Sequence, residues 1–350
     1  MAQAETASPP LLTIAIPTFN RVAYLRVALE QLRAERLALS ADQRDKVEIL
    51  VSDNASPDGT PALIAEMIDG GLPVRYVRNE ANLGSDENIA QCFNLARGDY
   101  VIIMGDDDVL LDGTLSWLLE TLKSRRYGVV SLRAFGFDND FRQEQPPPWG
   151  RERVFNDPGR FLAAVGAQLT LISSCAIHKA AMPNVNARAF CGGQLVQLHL
   201  VIEAAAGGPE NLYCEPYKVA CKRNNSGDYN FSTVFVREFG RVLDSYRDRI
   251  ISEQDIRAIE RRMIVNYYPF YLLKLRLRDE GGIRGHADVF RARFGSHLLY
   301  AVMLAPIARL PRPLGLAWGF AMTALGRAFS GDLPRGVAWA WHRLNPASRS

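Results

Sequence analysis

Short apolar runs, each ending in a polar loop and followed by a helix-patterned stretch, fill the N-terminal third of this chain and leave few folds open to it. Leu11 to Pro17 reads as a strand, after which Tyr24, Leu25, Ala28, Leu29 and Leu32 fall on one helical face. Val47 to Ser52 is a second strand. It ends in Asp53-Asn54-Ala55-Ser56-Pro57-Asp58-Gly59, a run of turn formers in which Asp58 or Thr60 caps a helix through Met67. Val74 to Val77 is a third, followed by Asn79 to Ser85 and a helix through Ala96. Strand and helix alternating at this spacing predict right-handed crossovers and a mostly parallel sheet. The polar loops at Thr18, Asp53, Asn82 and Asp106 all follow strands, so they converge on one sheet edge, where open α/β sheets bind ligands.

The fourth run carries the sharpest chemistry. Tyr100-Val101-Ile102-Ile103-Met104-Gly105 leads straight into Asp106, Asp107 and Asp108. A buried strand ending in clustered acids is costly unless a cation or a hydrogen-bonded ligand sits there. Mg²⁺ is typically held by one or two carboxylates plus substrate phosphates, which is the pattern these acids offer. Neighbouring acids also repel, so without a metal at least one should hold its proton above the usual range and release it on metal binding. The competing reading is a solvated acidic turn.

Four segments resemble one known family in its own order, over about residues 11 to 125. Ile14-Ala15-Ile16-Pro17-Thr18-Phe19-Asn20-Arg21 is similar to the opening strand and loop of family 2 glycosyltransferases. Val51 to Thr60 resembles their second strand and nucleotide loop, and Asn79-Glu80-Ala81-Asn82-Leu83-Gly84 with Asn88 their third segment. Ala96 to Asp108 resembles the strand that enters their Asp-x-Asp metal motif. Within that family the chain looks most like bacterial enzymes that build surface polysaccharide, including the abequosyltransferase-like group. The resemblance implies an α/β, GT-A (Rossmann-like) fold with helices on both faces of the sheet, a nucleotide-sugar donor, a divalent metal (Mg²⁺ or Mn²⁺) and inversion at the anomeric carbon. It places Asp108 as metal ligand, Asp106 near the ribose or sharing the metal, and Asp107 in either role. Asp53 matches the position that hydrogen-bonds the nucleobase and Thr18 the position lining the base pocket; Pro17, Asn20, Asn82 and Gly84 complete the donor loops. A carboxylate accepts equally from a uracil or thymine imide N–H or a guanine edge, so the base stays open.

The catalytic base is where the resemblance breaks. Many family members carry a Glu-Asp pair after a Gly-rich turn, whereas Cys191-Gly192-Gly193-Gln194-Leu195 stands in that region here. An amide is no base, though Gln194 can orient an acceptor hydroxyl. His199 and Glu203, spaced i and i+4 on a helix expected from Gln194 to Ala206, are the nearby candidates, with Asp107 or an acid from another loop as further ones. The plain alternatives are a core or capping histidine and a surface glutamate. The metal-contacting histidine that many members supply is missing too. The expected acceptor half, residues 126–230, holds a strand at Val129 to Leu132, a loop from Asp138 to Trp149 with Pro146-Pro147-Pro148, and strands at Leu169 to His178 and Tyr217 to Cys221. Lys222 and Arg223 open a polar loop from which either cation can reach a phosphate, or simply face solvent.

After residue 230 the character changes. Thr233 to Ile251, Glu253 to Asp279 and Arg284 to Ala305 show helical spacing. Residues 1–230 hold 22 Lys and Arg against 28 Asp and Glu, whereas residues 231–350 hold 19 against 10. A basic helical extension on an acidic catalytic domain points to an anionic partner, and a membrane surface is the obvious one. Two apolar runs, Leu298 to Ala308 and Leu314 to Leu325, are each short of the roughly 20 residues a span requires. Arg309, Pro311, Arg312 and Pro313 separate them, which fits interfacial helices with Trp318, Trp339 and Trp341 at headgroup depth. The alternative is a helical bundle packed on the catalytic domain or on a second subunit.

The domain reading is therefore a disordered N-terminus over 1–10, a catalytic domain over 11–230 with its nucleotide-binding half at 11–125, and the extension over 231–350. No basic, apolar leader precedes Leu11, and the five cysteines show no CxxC pairing. Both features lead to the expectation of a cytoplasmic protein with reduced thiols, peripheral on the cytoplasmic face of the inner membrane. The expected partners are a nucleotide sugar and a saccharide acceptor, lipid-linked in polysaccharide assembly; nucleic acid is not among them. A dehydrogenase or a P-loop NTPase would need a Gly-rich loop after the first strand, and Pro17-Thr18-Phe19-Asn20 is nothing like one. A catalytically inactive sugar-nucleotide binder or scaffold of the same fold is the alternative function.

Overall fold

The computed structural model describes residues 9–147, 150–223, 230–278 and 283–330. Of the expected disordered N-terminus, residues 1–8 lie outside the described residues. The chain divides into two compact units, Met1–Asp228 and Tyr229–Ser350.

In the first unit β1 (Leu12–Thr18), α1 (Val22–Leu37), a short α2 (Ala41–Arg44), β2 (Val47–Asp53), α3 (Thr60–Asp69), β3 (Val74–Arg78), α4 (Ser85–Leu95) and β4 (Tyr100–Ile103) alternate as the apolar pattern requires. The second half adds β5 (Asp108–Leu110), α5 (Thr114–Ser124), β6 (Val129–Phe137), β7 (Glu152–Phe155), α6 (Pro158–Val165), β8 (Cys175–His178), α7 (Val196–Gly207) and β9 (Asn211–Lys222). The described strands form one sheet in the order β3-β2-β1-β4-β8-β6-β9-β5, with β7 paired to β9. From β3 to β4 every pairing is parallel, whereas β8 runs antiparallel to both β4 and β6. Leu12, Ile14 and Ile16 of β1 and Leu25 and Leu29 of α1 are fully buried, the signature of a sheet covered on its faces.

Register places the site. Thr18 is the partner of Asp53 across β1 and β2, and Asp53 that of Arg78 across β2 and β3. Three strand ends therefore stand side by side, and β4 delivers Asp106 to the same edge.

The second half departs from the sequence reading in several places. Only Cys175–His178 of the expected Leu169 to His178 strand is extended; Gly166–Thr170 and Ile172–Ser174 are 3₁₀ turns. The Ser174 hydroxyl bonds the carbonyls of Gln168 at 2.6 Å and Leu171 at 2.8 Å, giving this segment a local alternative to a ladder. The helix expected from Gln194 begins at Val196, because Gln194 itself sits at φ 57°. Strand β7 was not legible: it is a four-residue edge strand whose residues are exposed or half-buried, so it has no apolar run. Pro148 and Trp149 lie outside the described residues.

The described part of the second unit is helical. A π-helical turn (Thr233–Glu238) leads into α8 (Phe239–Ser245), followed by α9 (Glu253–Asn266), α10 (Tyr268–Arg278), α11 (Ile283–Phe294), α12 (Leu298–Met303), α13 (Ala305–Arg309) and α14 (Arg312–Ser330). Ser252 and Asp255 form a capping box at the start of α9. The first apolar run breaks into α12 and α13, with Pro306 in the first turn of α13. Arg276 closes the other end of α13 by donating to the carbonyls of Ile307, Ala308 and Leu310. Among the described residues no helix is long and apolar enough to cross a membrane. Trp339 and Trp341 lie outside the described residues.

Gly128, which precedes β6, tests this packing. A Cβ there would stand 2.2 Å from the Ala204 carbonyl oxygen of α7 and 2.9 Å from Asn211 Oδ1. Both are held groups, so Gly128→Ala should lower stability by about 2 kcal/mol or more in urea unfolding.

Candidate active site

The donor-side loops are held by one another. Asp53 is fully buried; its Oδ1 accepts from the Ser56 N–H at 2.8 Å and its Oδ2 from the Tyr76 hydroxyl at 2.5 Å, with Arg78 Nε at 3.3 Å. Burial, and after it the Asp53 carboxylate, pushes the Tyr76 phenol well above its usual range. Ser56 Oγ accepts from the Asn20 N–H at 2.9 Å, and Asn20 (φ 55°) and Ala55 (φ 65°) both take left-handed backbone. Asn54 receives Asn79 Nδ2 at 2.9 Å and the Leu83 N–H at 3.0 Å, and donates to Asn82 Oδ1 at 2.7 Å and to the Gly84 carbonyl at 3.1 Å. Asn88, in the first turn of α4, donates to the Ser52 carbonyl at 2.9 Å and receives the Ser52 hydroxyl at 2.6 Å. Pro17 is half-buried one residue before Thr18.

The acids at the end of β4 meet this edge directly. Thr18 Oγ1 donates to Asp106 Oδ2 at 2.7 Å, and Arg21 spans two carboxylates, Nε 3.3 Å from Asp106 Oδ1 and Nη2 2.9 Å from Asp107 Oδ2. Asp106 and Asp108 are buried, whereas Asp107 is half-buried. The Ser173 hydroxyl donates to Asp108 Oδ2 and accepts from the Gly105 N–H at 2.9 Å. Burial raises Asp106 to about 7 against the opposing pull of Arg21 and Thr18. It raises Asp108 to about 7 as well, with Asp107 as the next cause. The expected raised carboxyl is thus found twice, and desolvation exceeds mutual repulsion as its origin.

A hard divalent cation fits this chemistry. Asp107 Oδ1 and Asp108 Oδ2 lie 3.0 and 3.2 Å from the point where a Gly105 side chain would begin, so oxygens converge where the chain itself is cut back to hydrogen. Among the described residues no three acids, cysteines or histidines are grouped to hold an ion by themselves.

The acceptor-side candidates are more dispersed. The Gly192 and Gln194 N–H groups donate to Asp86 Oδ2 of α4 at 2.7 and 3.0 Å, so the Gly-rich turn lies over the start of that helix with the Gln194 side chain exposed. His199 stacks on Phe190 with ring centres 4.7 Å apart, and Glu203 is half-buried one helical turn later. Lys222 and Arg223 are turned elsewhere: Lys222 Nζ bonds the Asp138 carbonyl, and Arg223 Nη1 lies 2.5 Å from Asp138 Oδ2 and 3.5 Å from Glu144 Oε2. The rest of that loop, Asn224 to Asp228, lies outside the described residues.

The glycosyl transferase family 2 model matches residues 13–181, which takes in every donor-side group above. Residues 13–181 are a family 2 glycosyltransferase domain. Abequosyltransferase RfbV of Salmonella typhimurium is 38% identical over 120 residues, which is 33% of this chain and 33% of that protein. A GalNAc(5)-diNAcBac-PP-undecaprenol beta-1,3-glucosyltransferase of Campylobacter jejuni is 31% identical over 112 residues, 32% of this chain and 34% of its own. The chain thus matches about a third of the length of these relatives. The GT-A fold extends further. S. aureus TarS 1-349 with UDP-GlcNAc superposes at TM-score 0.57 and 13% identity over 91% of this chain and 92% of that one. The mannosyltransferase PcManGT of Pyrobaculum calidifontis, with GDP-Man and Mn²⁺, superposes at 0.52 and 17% identity over 97% and 90%.

Sequence reasoning missed Arg21, Ser173, Tyr76 and Arg78. Arg21 closes the first family 2 segment, and on β3 Arg78 is the register partner of Asp53 with Tyr76 two residues before it, so strand register was the available signal. Ser173 had none, since its partner lies 65 positions away.

The raised carboxyls fix a pH response. The folded state holds these protons up to about pH 7, whereas an unfolded aspartate releases its own near 4. Between those values the folded chain binds more protons, so stability in chelator should fall as pH rises through this window. Melting temperatures from pH 4 to 8 check it, and Asp106→Asn with Asp108→Asn should flatten the curve.

Proposed function

We propose that this chain is an inverting, metal-dependent glycosyltransferase that moves a sugar from a nucleotide sugar to a lipid-linked saccharide in the assembly of bacterial surface polysaccharide, O-antigen included. The buried pair Asp106 and Asp108, standing beside the Thr18 and Asp53 strand ends, carries the reading. In such a transfer an acceptor hydroxyl oxygen forms a bond to the anomeric carbon as the bond to the diphosphate breaks, and the electron pair leaves with the phosphate oxygen. Negative charge therefore grows at the diphosphate, where positive charge is worth most. A Mg²⁺ or Mn²⁺ ion on Asp108, with Asp106, supplies that charge when bound. Arg21 sits against Asp106 and Asp107 and adds a fixed cation to the same place.

Donor recognition falls to Pro17, Thr18, Asn20, Asp53, Asn82, Gly84 and Asp107. The hydrogen bonds of Asn82 are those of a loop brace, so its part is to hold Gly84 for the approach of the donor. The base is His199 or Glu203, with Gln194 orienting the acceptor. The Campylobacter relative's name includes an undecaprenol-linked acceptor, which supports a lipid-linked one here. A basic second unit fits a place on the cytoplasmic face of the inner membrane, against anionic lipid.

Thermal shift against UDP-, GDP- and dTDP-sugars with and without Mn²⁺ identifies the donor, and diphosphate release then measures turnover. Asp108→Asn should lower kcat about 100-fold or more with an unchanged fold. Chelator should abolish turnover and Mn²⁺ restore it; full activity in chelator would refute the metal assignment. Nucleotide retained with no diphosphate released on any acceptor would leave the inactive-binder reading standing.

A further inference from the structure

The second unit turns one long helix inside out. From Leu314 onward the exposed positions of α14 are Leu314, Ala317, Trp318, Ala321, Ala324, Leu325, Ala328 and Phe329, all apolar. Leu314 is 58% exposed and Phe329 74%, values that core-forming residues do not keep in water without cause. The buried positions of the helix are all glycine. A Cβ on Gly315 would lie 2.9 Å from the Ile307 carbonyl, on Gly319 3.1 Å from Leu273 Cδ1, and on Gly326 2.2 Å from the Val265 carbonyl. Trp318 Nε1 donates to the Val302 carbonyl at 2.8 Å, which joins α12 to the same surface and adds Leu298, 81% exposed, and Val302.

Charge selects the occupant. Between Asp288 and Asp332 the sequence holds five arginines and no acid. Arg293 is spent on Asp244 and Glu260, whereas Arg291 in the last turn of α11 and Arg309 at the end of α13 are exposed. A second copy docked face to face would set these arginines against their own equivalents. An anionic bilayer gives both halves of the surface a partner: acyl chains for the leucines and phenylalanine, headgroup phosphates for the arginines. Trp318, with an apolar ring, belongs at the boundary between them.

We infer that the outer face of α14, with Leu298 and Val302 of α12, beds into an anionic lipid surface, the helix lying along the membrane rather than across it. This rests on the membrane placement proposed above and assigns it to one face. The full chain should float with vesicles of phosphatidylcholine and phosphatidylglycerol, poorly with phosphatidylcholine alone, and less as salt rises. Leu314→Glu with Leu325→Glu should cut the bound fraction at least about tenfold. Arg291→Gln with Arg309→Gln should weaken partitioning about 30-fold. Both pairs are exposed, so unfolding temperature should not move, and diphosphate release to a water-soluble acceptor should persist. A wild-type chain that stays unbound, or a glutamate pair that binds as well as wild type, overturns the inference. So does a concentration-dependent dimer that the glutamate pair dissolves. A wild-type chain that transfers sugar but never binds lipid counts against the membrane inference alone; one that binds lipid but never transfers counts against the enzymatic reading alone.

Discussion

Two carboxylates withheld from water at the end of an apolar strand set the terms for everything near them. Asp106 and Asp108 are uncomfortable as anions, and each neighbour answers that discomfort. Thr18 and Arg21 serve Asp106, while Ser173 serves Asp108 and holds the Gly105 amide at the same time. A buried acid with only part of its charge compensated stays ready for a further cation. The parallel ladder makes this possible, since its register brings Thr18, Asp53 and Arg78 abreast without any loop having to be long.

What could be read from residues alone follows from this. The first four strands were legible because each is a continuous apolar run and each loop after it is polar. The acid triplet was legible because carboxylates directly after such a run are costly to bury without a partner. The partners were not. Arg21 reaches Asp107 across 86 positions and Ser173 reaches Asp108 across 65, and nothing in local patterning records such distances. Leu169 to His178 was misread for a related reason: an apolar segment looks extended until a serine finds carbonyls three and six residues before it.

Asp53 shows how a residue singled out in the sequence can conceal its surroundings. Family likeness proposes a nucleobase contact for it, and the structure surrounds it with Tyr76, Arg78 and the Ser56 amide. Its orientation is thereby set in advance, which lowers the ordering a ligand must impose. Glu35 does comparable work away from the site, accepting from the Gly113 and Leu115 amides where α5 begins, with burial raising its carboxyl. No sequence pattern distinguishes that glutamate from a solvated one.

The three glycines beneath α14 have a mechanical consequence. With Leu273 and the carbonyls of Ile307 and Val265 so near, this helix can seat in one rotational setting only. A turn of about 100° about its own axis, the angle between neighbouring residues, would drive a leucine or the tryptophan into that seam. The fourteenth helix is keyed like a shaft in its slot, and whatever it meets on its open side always meets the same row of side chains.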